Sequence, residues 1–398
     1  MEWKGGMLRV LTLASLFPSA ARPVFGIFVE RQTLGLAAHP DVELRVVNPI
    51  GVPPGPFKRH AHYRALAALP ERETWKGLDV CRPRFPVIPR FGERFAATLM
   101  ARALLPLLKR IHAEFPFDVI DAEFFWPDGP AAARLAQALG VPFSIKARGG
   151  DIHLRVDQAG PRRAIVAAGC AAGGLLAVSS ALKADMTAIG IPADKIRVHY
   201  TGVEMERFKP AVDRMAAKAA FGIHGPMFVT VGALIERKGH GIVLDAIKEV
   251  PGATLLIAGE GPYRGILEAR IAAEGLDRRV RLLGSQPHEA VPALVAAADV
   301  MVLASQSEGL ANAWVEALAC GTPVVIPDVG GAREVIDRPA AGRLVAREAG
   351  AIAAGIRDIL ADPPAQADVR ATAERFTWAA NTAALYDHLA GIVANGSR

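Results

Sequence analysis

The residues with the clearest chemical potential are two glutamates eight positions apart, Glu308 and Glu316, in the stretch SQSEGLANAWVEALACGTPVVIPDVGGAREVI at 305–336. The apolar run 300–304 before them is short and β-rich, as a buried strand is. Gly309 breaks that run, and Asn312 can cap a helix running to Cys320. Gly321 closes the helix, and Thr322-Pro323 leads into a second buried strand at 324–326. Apart from Glu316 the helix is apolar all round, so it is expected to be buried, and a carboxylate there needs donors brought to it. A helix N-terminus beyond a strand end also offers free backbone N–H groups, here those of Gly309, Leu310, Ala311 and Asn312, to an anion. Glu308 would then face one side of the ligand and Glu316 a hydroxylated group on the other. A nucleoside diphosphate sugar, anionic in the middle and rich in hydroxyls at both ends, fits that arrangement. Two solvated surface glutamates are the alternative.

Further polar groups fall where other strands should end. The run 118–122 delivers Glu123 and the aromatics Phe124, Phe125 and Trp126 to the carboxyl edge of a sheet, where the carboxylate can hydrogen-bond a sugar or act as a base. Arg148 and Asp151 follow the run 143–146 at the same edge, and Asp151 can equally cap the next helix. Gly26 ends the loop after the first strand and permits close backbone approach by a ligand at an interdomain cleft. Gly284-Ser-Gln286-Pro287 is a turn after another strand.

These groups must be carried by alternating strands and helices. Strand-like runs stand at 8–13, 43–47, 118–122, 143–146, 175–178 and 196–199, and again at 227–231, 254–258, 280–283, 300–303 and 324–326. At 398 residues the chain is most simply two domains of about 200 residues each. Neither half carries G-x-G-x-x-G between its first strand and helix, which argues against a dinucleotide oxidoreductase. Cys81, Cys170 and Cys320 are widely spaced and read as packing residues in a reducing compartment. The start, Met1 to Gly6, is short and polar, unlike a signal peptide. The uncharged run 164–182 is split by Gly173-Gly174 and reads as a helix end, a strand and a Ser179-Ser180 cap, not as a membrane span.

A net charge of +6 suits a polyanionic surface, but no zinc-finger spacing, basic heptad or RNA-binding aromatic signature points to nucleic acid. Between 57 and 94 the pattern turns irregular. There Lys58, Arg59, Arg64, Arg72, Lys76, Arg82, Arg84, Arg90 and Arg94 interleave with Phe57, Tyr63, Trp75, Phe85 and Phe91, before an amphipathic helix at 95–111. Such a mixture suits either a lipid headgroup surface or a solvated loop over a core helix.

With its seven intervening residues, the Glu308–Glu316 pair resembles the E-x7-E motif of retaining GT-B glycosyltransferases, and SEGLANAWVEALACGTPVV with the following Gly330-Gly331-Ala332-Arg333-Glu334 resembles glycosyltransferase family 4. The segment 191–210 is similar to the family's hinge, with Thr201 and Glu204 where asparagine and aspartate are common. In VGALIERKGH, Lys238 keeps the motif lysine, Ala233 replaces the usual arginine and Arg237 adds a cation. Glu123 stands where many members have histidine, and Phe25 precedes a lone Gly26 where a glycine pair is frequent.

The resemblance implies an α/β protein of GT-B fold, two Rossmann-like domains facing across a cleft. Residues 1–206 would bind the acceptor, with helix 376–398 packing back on them, and residues 207–375 the donor. It implies transfer of a hexosyl group from a nucleoside diphosphate sugar to a hydroxyl of a glycan or lipid-linked acceptor, with configuration retained, in cell-surface polysaccharide or glycolipid synthesis. Glu308, Lys238, Arg237 and Glu123 are then the catalytic candidates. Glu316, Gly309, Leu310, Ala311, Asn312, Gln286 and Gly26 hold the donor, with Glu316 on ribose hydroxyls, and Arg148 and Asp151 meet the acceptor. No metal is called for, nor any cofactor beyond the nucleotide sugar co-substrate. The expected setting is cytoplasmic, with an anionic inner membrane face as a peripheral partner. A GT-B epimerase or phosphorylase and a non-catalytic sugar-binding partner are the rival readings.

Overall fold

The structure is a computed structural model that describes residues 6–88 and 93–396. The expectations placed on residues 1–5, on Arg90 and Phe91, and on the side chains of Lys58 and Arg59 lie outside what is described. The chain divides into two compact units, Met1–Gly202 with Trp378–Arg398, and Val203–Thr377.

In the first unit the strands are β1 (Leu8–Leu13), β2 (Val42–Val47), β3 (Ile50–Val52), β4 (Arg72–Trp75), β5 (Leu78–Cys81), β6 (Arg84–Pro86), β7 (Val119–Ala122), β8 (Phe143–Ala147), β9 (Gly174–Ala177) and β10 (Ile196–Val198). The main sheet runs β10-β9-β8-β7-β1-β2-β5-β4, and β3 pairs with β6 beside it. All main-sheet pairs are parallel except β4 with β5. Apolar strands such as LRVLTL are buried on both faces, as a parallel sheet covered by helices requires. One cover is the helix Trp378–Gly396, whose Leu385, Leu389 and Val393 pack with Leu8, Val10, Val119 and Leu176. Strand order reverses between β1 and β7, so the loops after those two strands splay apart at one place.

The region expected to be irregular instead contains β4, β5 and β6. These strands are three or four residues long and partly polar, which hides their period, and β4 and β5 turn on Lys76-Gly77. Two residues expected on an exposed basic and aromatic surface face inward: Arg82 is fully buried and Phe85 is 6% exposed. The amphipathic helix runs Ala96–Glu114, shifted by a preceding 3-10 turn.

The second unit is a single six-stranded parallel sheet of β11 (Met227–Val231), β12 (Thr254–Ala258), β13 (Val280–Gly284), β14 (Val300–Val302), β15 (Val324–Pro327) and β16 (Gly342–Val345), in the order β13-β12-β11-β14-β15-β16. That is the doubly wound Rossmann order, reversing between β11 and β14. Phe228, Leu244, Leu255, Ile257, Val300, Val302 and Ile356 share its core. β16 was not expected, because GRLV is short and lies behind a proline and glycine turn. The helix after β14 spans Asn312–Ala319, so Ala311 and not Asn312 occupies the cap, and the helix stops one residue before Cys320.

Among the described residues no helix is long and apolar enough to cross a membrane. The uncharged run resolves into the end of helix Ala159–Ala171, then β9, then helix Ser180–Ala188, capped where Leu182 N–H donates to Ser179 Oγ at 3.1 Å.

Candidate active site

In a doubly wound sheet, ligands bind beyond the carboxyl ends of the strands where the order reverses. In the second unit that place lies after β11 and β14. The loop after β11 makes the 3-10 turn Glu236–Lys238, and the loop after β14 carries Glu308. Although seventy residues apart in sequence, Lys238 Nζ and Glu308 Oε1 meet at 2.5 Å, with side chains 16% and 10% exposed. Arg237 fastens the same two loops: its side chain donates to the Ser307 carbonyl, and its own carbonyl accepts from Gln306 N–H at 2.8 Å.

A third loop supports Glu308 from behind. Gly331 N–H donates to Gly309 carbonyl at 2.8 Å, and Gly330 sits at φ 52° with room for no side chain, because a Cβ would fall 2.0 Å from the Glu308 carbonyl oxygen. The glycine pair read from sequence as motif is therefore the seat on which the glutamate loop rests.

The helix Asn312–Ala319 differs from the fully buried helix expected. Trp314, Val315, Ala317, Leu318 and Ala319 are buried, but Asn312, Ala313 and Glu316 are half-buried and share one face at helical spacing. Glu316 therefore lies one turn beyond the helix start on its accessible side. Leu310 and Ala311, each 8% exposed, lead into that start, so their amides and those of Gly309 and Asn312 belong to the first turn. Gln286 follows β13, two strands away on the same edge, and its amide donates to Leu283 carbonyl at 2.7 Å. Cations, helix amides and a carboxylate at one strand edge can hold a diphosphate and orient hydroxyls beside it.

At the first unit's reversal, Glu123, Arg148 and Asp151 come together, but as a buried knot. Glu123 is 1% exposed, and its two carboxylate oxygens accept from Gln32 and from Arg148. Arg148 also donates through Nε to Glu123 carbonyl at 2.8 Å and lies over the Phe28 ring. Asp151 accepts from the amides of Phe125 at 2.8 Å and Arg148 at 3.0 Å, tying together the loops after β7 and β8. The expectation of open ligand contacts at Glu123 and Asp151 gives way to oxygens already engaged by protein donors. Gly26 likewise approaches the protein's own chain: at φ 78° it starts the helix Ile27–Ala37, and a Cβ would lie 2.5 Å from Leu16 carbonyl oxygen.

Behind this knot lie residues that the sequence reading passed over. Lys146 donates to Gln32 and to His199 Nδ1 at 2.6 Å, so His199 carries its proton on Nε2, which donates to Asn381 carbonyl at 2.8 Å. Burial, reinforced by the Lys146 charge, holds His199 well below the ordinary histidine range, and burial also pulls Lys146 well below the usual lysine value. Asp121, fully buried two residues before Glu123 on β7, is raised well above the usual carboxylate range by burial and then by the Glu123 charge. The signal for it was an acidic pair spaced by two in an apolar run, which places both on one face of a strand.

Asp128 is also fully buried. One oxygen accepts from Ser15 N–H at 2.8 Å and the other has no partner among the described groups. Burial pushes its pKa up to about 7, against the pull of the Ser15 amide. A carboxyl raised in the folded state contributes stability that is intact below its unfolded pKa of about 4 and is lost as pH rises through about 7. Asp128→Asn keeps the acceptor for Ser15 and cannot ionise. In denaturant titrations it is expected to lose that decline between pH 4 and 7, and to exceed the parent above pH 7 by at most about 3–4 kcal/mol. Parallel stability profiles would show that Asp128 does not titrate as described.

Two family models match the chain. That of Glycosyltransferase Family 4 matches residues 58–207, and that of Glycosyl transferases group 1 matches residues 213–376. Over 333 residues, 81% of this chain and 82% of the relative, the chain is 27% identical to TuaC of Bacillus subtilis (strain 168), a glycosyltransferase assigned to teichuronic acid biosynthesis. It is 27% identical over 384 residues, 83% of this chain and 94% of the relative, to 2-deoxystreptamine glucosyltransferase of Streptomyces kanamyceticus. Among solved structures, HepE of Anabaena in complex with UDP matches at a TM-score of 0.71 and 20% identity, over 96% of this chain and 98% of that one, a likeness of fold.

Proposed function

We propose a reaction for this chain, which belongs to the GT-B glycosyltransferases of family 4: transfer of a hexosyl group from a nucleoside diphosphate sugar to a hydroxyl of a glycan or lipid-linked acceptor, with anomeric configuration retained. The observation that carries it is the meeting of Lys238 and Glu308 where the second sheet reverses, beside the start of the helix bearing Glu316. The likeness to HepE, whose complex holds UDP, supports a uridine nucleotide, and the likeness to TuaC supports a place in cell-surface polysaccharide synthesis.

In this reading the amides of Gly309, Leu310, Ala311 and Asn312 take the diphosphate and sugar, and Glu316 takes the ribose hydroxyls. Gln286 borders the base. Lys238, helped by Arg237, meets the charge that builds on the departing diphosphate, so that neither a divalent metal nor a cofactor is needed. Glu308, engaged by Lys238 in the free protein, turns to the sugar once phosphate oxygens compete for the lysine. Glu123 keeps Arg148 in place and is not a base.

The experiment is transfer from a panel of uridine diphosphate sugars, following nucleotide release and the anomeric proton of the product by NMR. Glu316→Ala is expected to lower kcat/KM by about a hundredfold, a loss of ~2.7 kcal/mol, mainly through weaker donor binding. An unchanged rate, or an inverted product, would overturn the corresponding part of the reading. Peripheral attachment to an anionic membrane rests on Phe57, Ile88 and Phe95, which are 66%, 47% and 47% exposed beside a basic stretch. Co-flotation with phosphatidylglycerol vesicles but not with phosphatidylcholine is the expected result, and flotation with neither removes the membrane from the account.

A further inference from the structure

The chain leaves its first unit at Gly202 and returns to it at Trp378, so two stretches of the second unit border the first in sequence, one opening at Val203 and one ending at Thr377. They are joined to each other: Val203 N–H donates to Phe376 carbonyl at 2.8 Å, and Val203 pairs with Thr377 in a parallel bridge. Both stretches also reach the C-terminal end of the helix Asn312–Ala319, opposite the end that faces the donor in the reading above. We propose that Arg370 is a positioning residue for donor binding: by gripping that far end of the helix it sets where Glu316 and the first-turn amides stand. This role rests on the reading of Glu316 as a contact to the donor.

A helix leaves its last carbonyls without partners of its own. Here the last of them, that of Ala319, is met from outside. Arg370, on the helix Gln366–Ala371, donates to it, and the same guanidinium donates to Phe208 carbonyl at 2.6 Å and to Met205 carbonyl at 2.7 Å. One side chain near the returning stretch thus ties the outgoing stretch to the helix. Arg214, which opens the helix Arg214–Ala219, adds a second tie by donating to Gly321 carbonyl at 2.7 Å. Gly321 is wedged between the same two stretches: at φ 69° a Cβ there would lie 2.9 Å from Gln366 and 3.1 Å from Pro210 Cγ. Cations also suit this end of the helix dipole.

Packing alone does not settle the helix so finely. Burial of Trp314, Val315, Ala317, Leu318 and Ala319 holds it in the core, but hydrophobic contact is non-directional and leaves rotation and sliding along the axis weakly fixed. A planar guanidinium on three carbonyls specifies direction as well as distance, which an ammonium does not. The helix has eight residues, a length of roughly 12 Å, and Glu316 lies within one turn of Ala319. A shift at the gripped end therefore reaches Glu316 almost undiminished. Misplacement by about 1 Å can cost an enzyme on the order of a hundredfold, so a small slide is enough to matter.

The test is UDP affinity by calorimetry on the full chain, for the parent, Arg370→Gln, Glu316→Ala and the double variant. Arg370→Gln is expected to weaken UDP by about tenfold, and in turnover to raise donor KM more than it lowers kcat. In the Glu316→Ala background the same substitution should cost at most about threefold, because the contact it positions is already gone. Calorimetry reads affinity per folded molecule, so a merely structural role, which lowers the active fraction, leaves it at the parental value. Arg370→Lys keeps a cation at the helix end but gives up the three-way grip. It is expected to weaken UDP by about threefold or more, and it serves as the test if the glutamine variant does not fold. Parental affinity in the folded Arg370 variants, or an equal loss in both Glu316 backgrounds, overturns the proposal. Parental affinity in Glu316→Ala removes the donor role of that glutamate and this proposal with it, whereas a weakened Glu316→Ala beside a parental Arg370→Gln removes this proposal alone.

Discussion

Replacing Lys238 with alanine is expected to slow sugar transfer by about a hundredfold or more, with the loss falling on kcat. A cation aimed at a leaving diphosphate matters most when the glycosidic bond is breaking, and the low exposure of Lys238 keeps water from substituting for it. There is a competing explanation for a slow variant. Lys238 is also the counter-ion of Glu308, 2.5 Å away, and its loss would leave that carboxylate uncompensated on its loop. The double variant separates the two. If Lys238 serves only to neutralise Glu308, then Glu308→Gln in the Lys238→Ala background restores much of the rate. If Lys238 meets the phosphate, the double variant stays as slow as the single one, or slower. Near-parental turnover in Lys238→Ala would remove the lysine from the mechanism altogether.

The second sheet is readable from sequence because each of its central strands is a short apolar run, and those at 227–231, 254–258 and 324–326 are flanked by glycine or proline. Five of its six strands fall where those runs predicted them, and the order they adopt puts the loops of Lys238 and Glu308 side by side. No motif states that the two side chains touch; sheet topology does that. The first unit was less legible for a definite reason. Its strands β4 to β6 are too short and too polar for a period to show, and Arg82, one charge in a basic stretch, is turned inward by Glu73, 9 residues away across the β4–β5 hairpin, and by Asn48, 34 residues away. Burial of a charge depends on partners that only tertiary structure brings together. The Glu316 helix errs in the opposite direction: its composition reads as wholly buried, yet the face formed by Asn312, Ala313 and Glu316 is only half-buried, because alanine is compatible with either side of a helix.

Arg148→Ala is expected to destabilise the protein by about 3–5 kcal/mol, which is the cost of leaving a buried carboxylate without its cation. Arg148 is 8% exposed and Glu123 1%, so water replaces little of what is removed. The guanidinium holds both the side chain and the carbonyl of Glu123 and covers the Phe28 ring, so three contacts go at once. Gln32 remains as a donor to Glu123, but Gln32 is itself committed to Lys146, which limits how far it can move. Removing the acid as well, in Arg148→Met/Glu123→Gln, should recover much of the loss, because the amide no longer carries a charge that needs compensation. Chemical denaturation of the three proteins measures this directly. A single variant of parental stability with a raised KM for acceptor would instead return Arg148 to the ligand. A large recovery of stability in the double variant makes the Glu123–Arg148 pair part of the frame that holds the loops after β7 and β8.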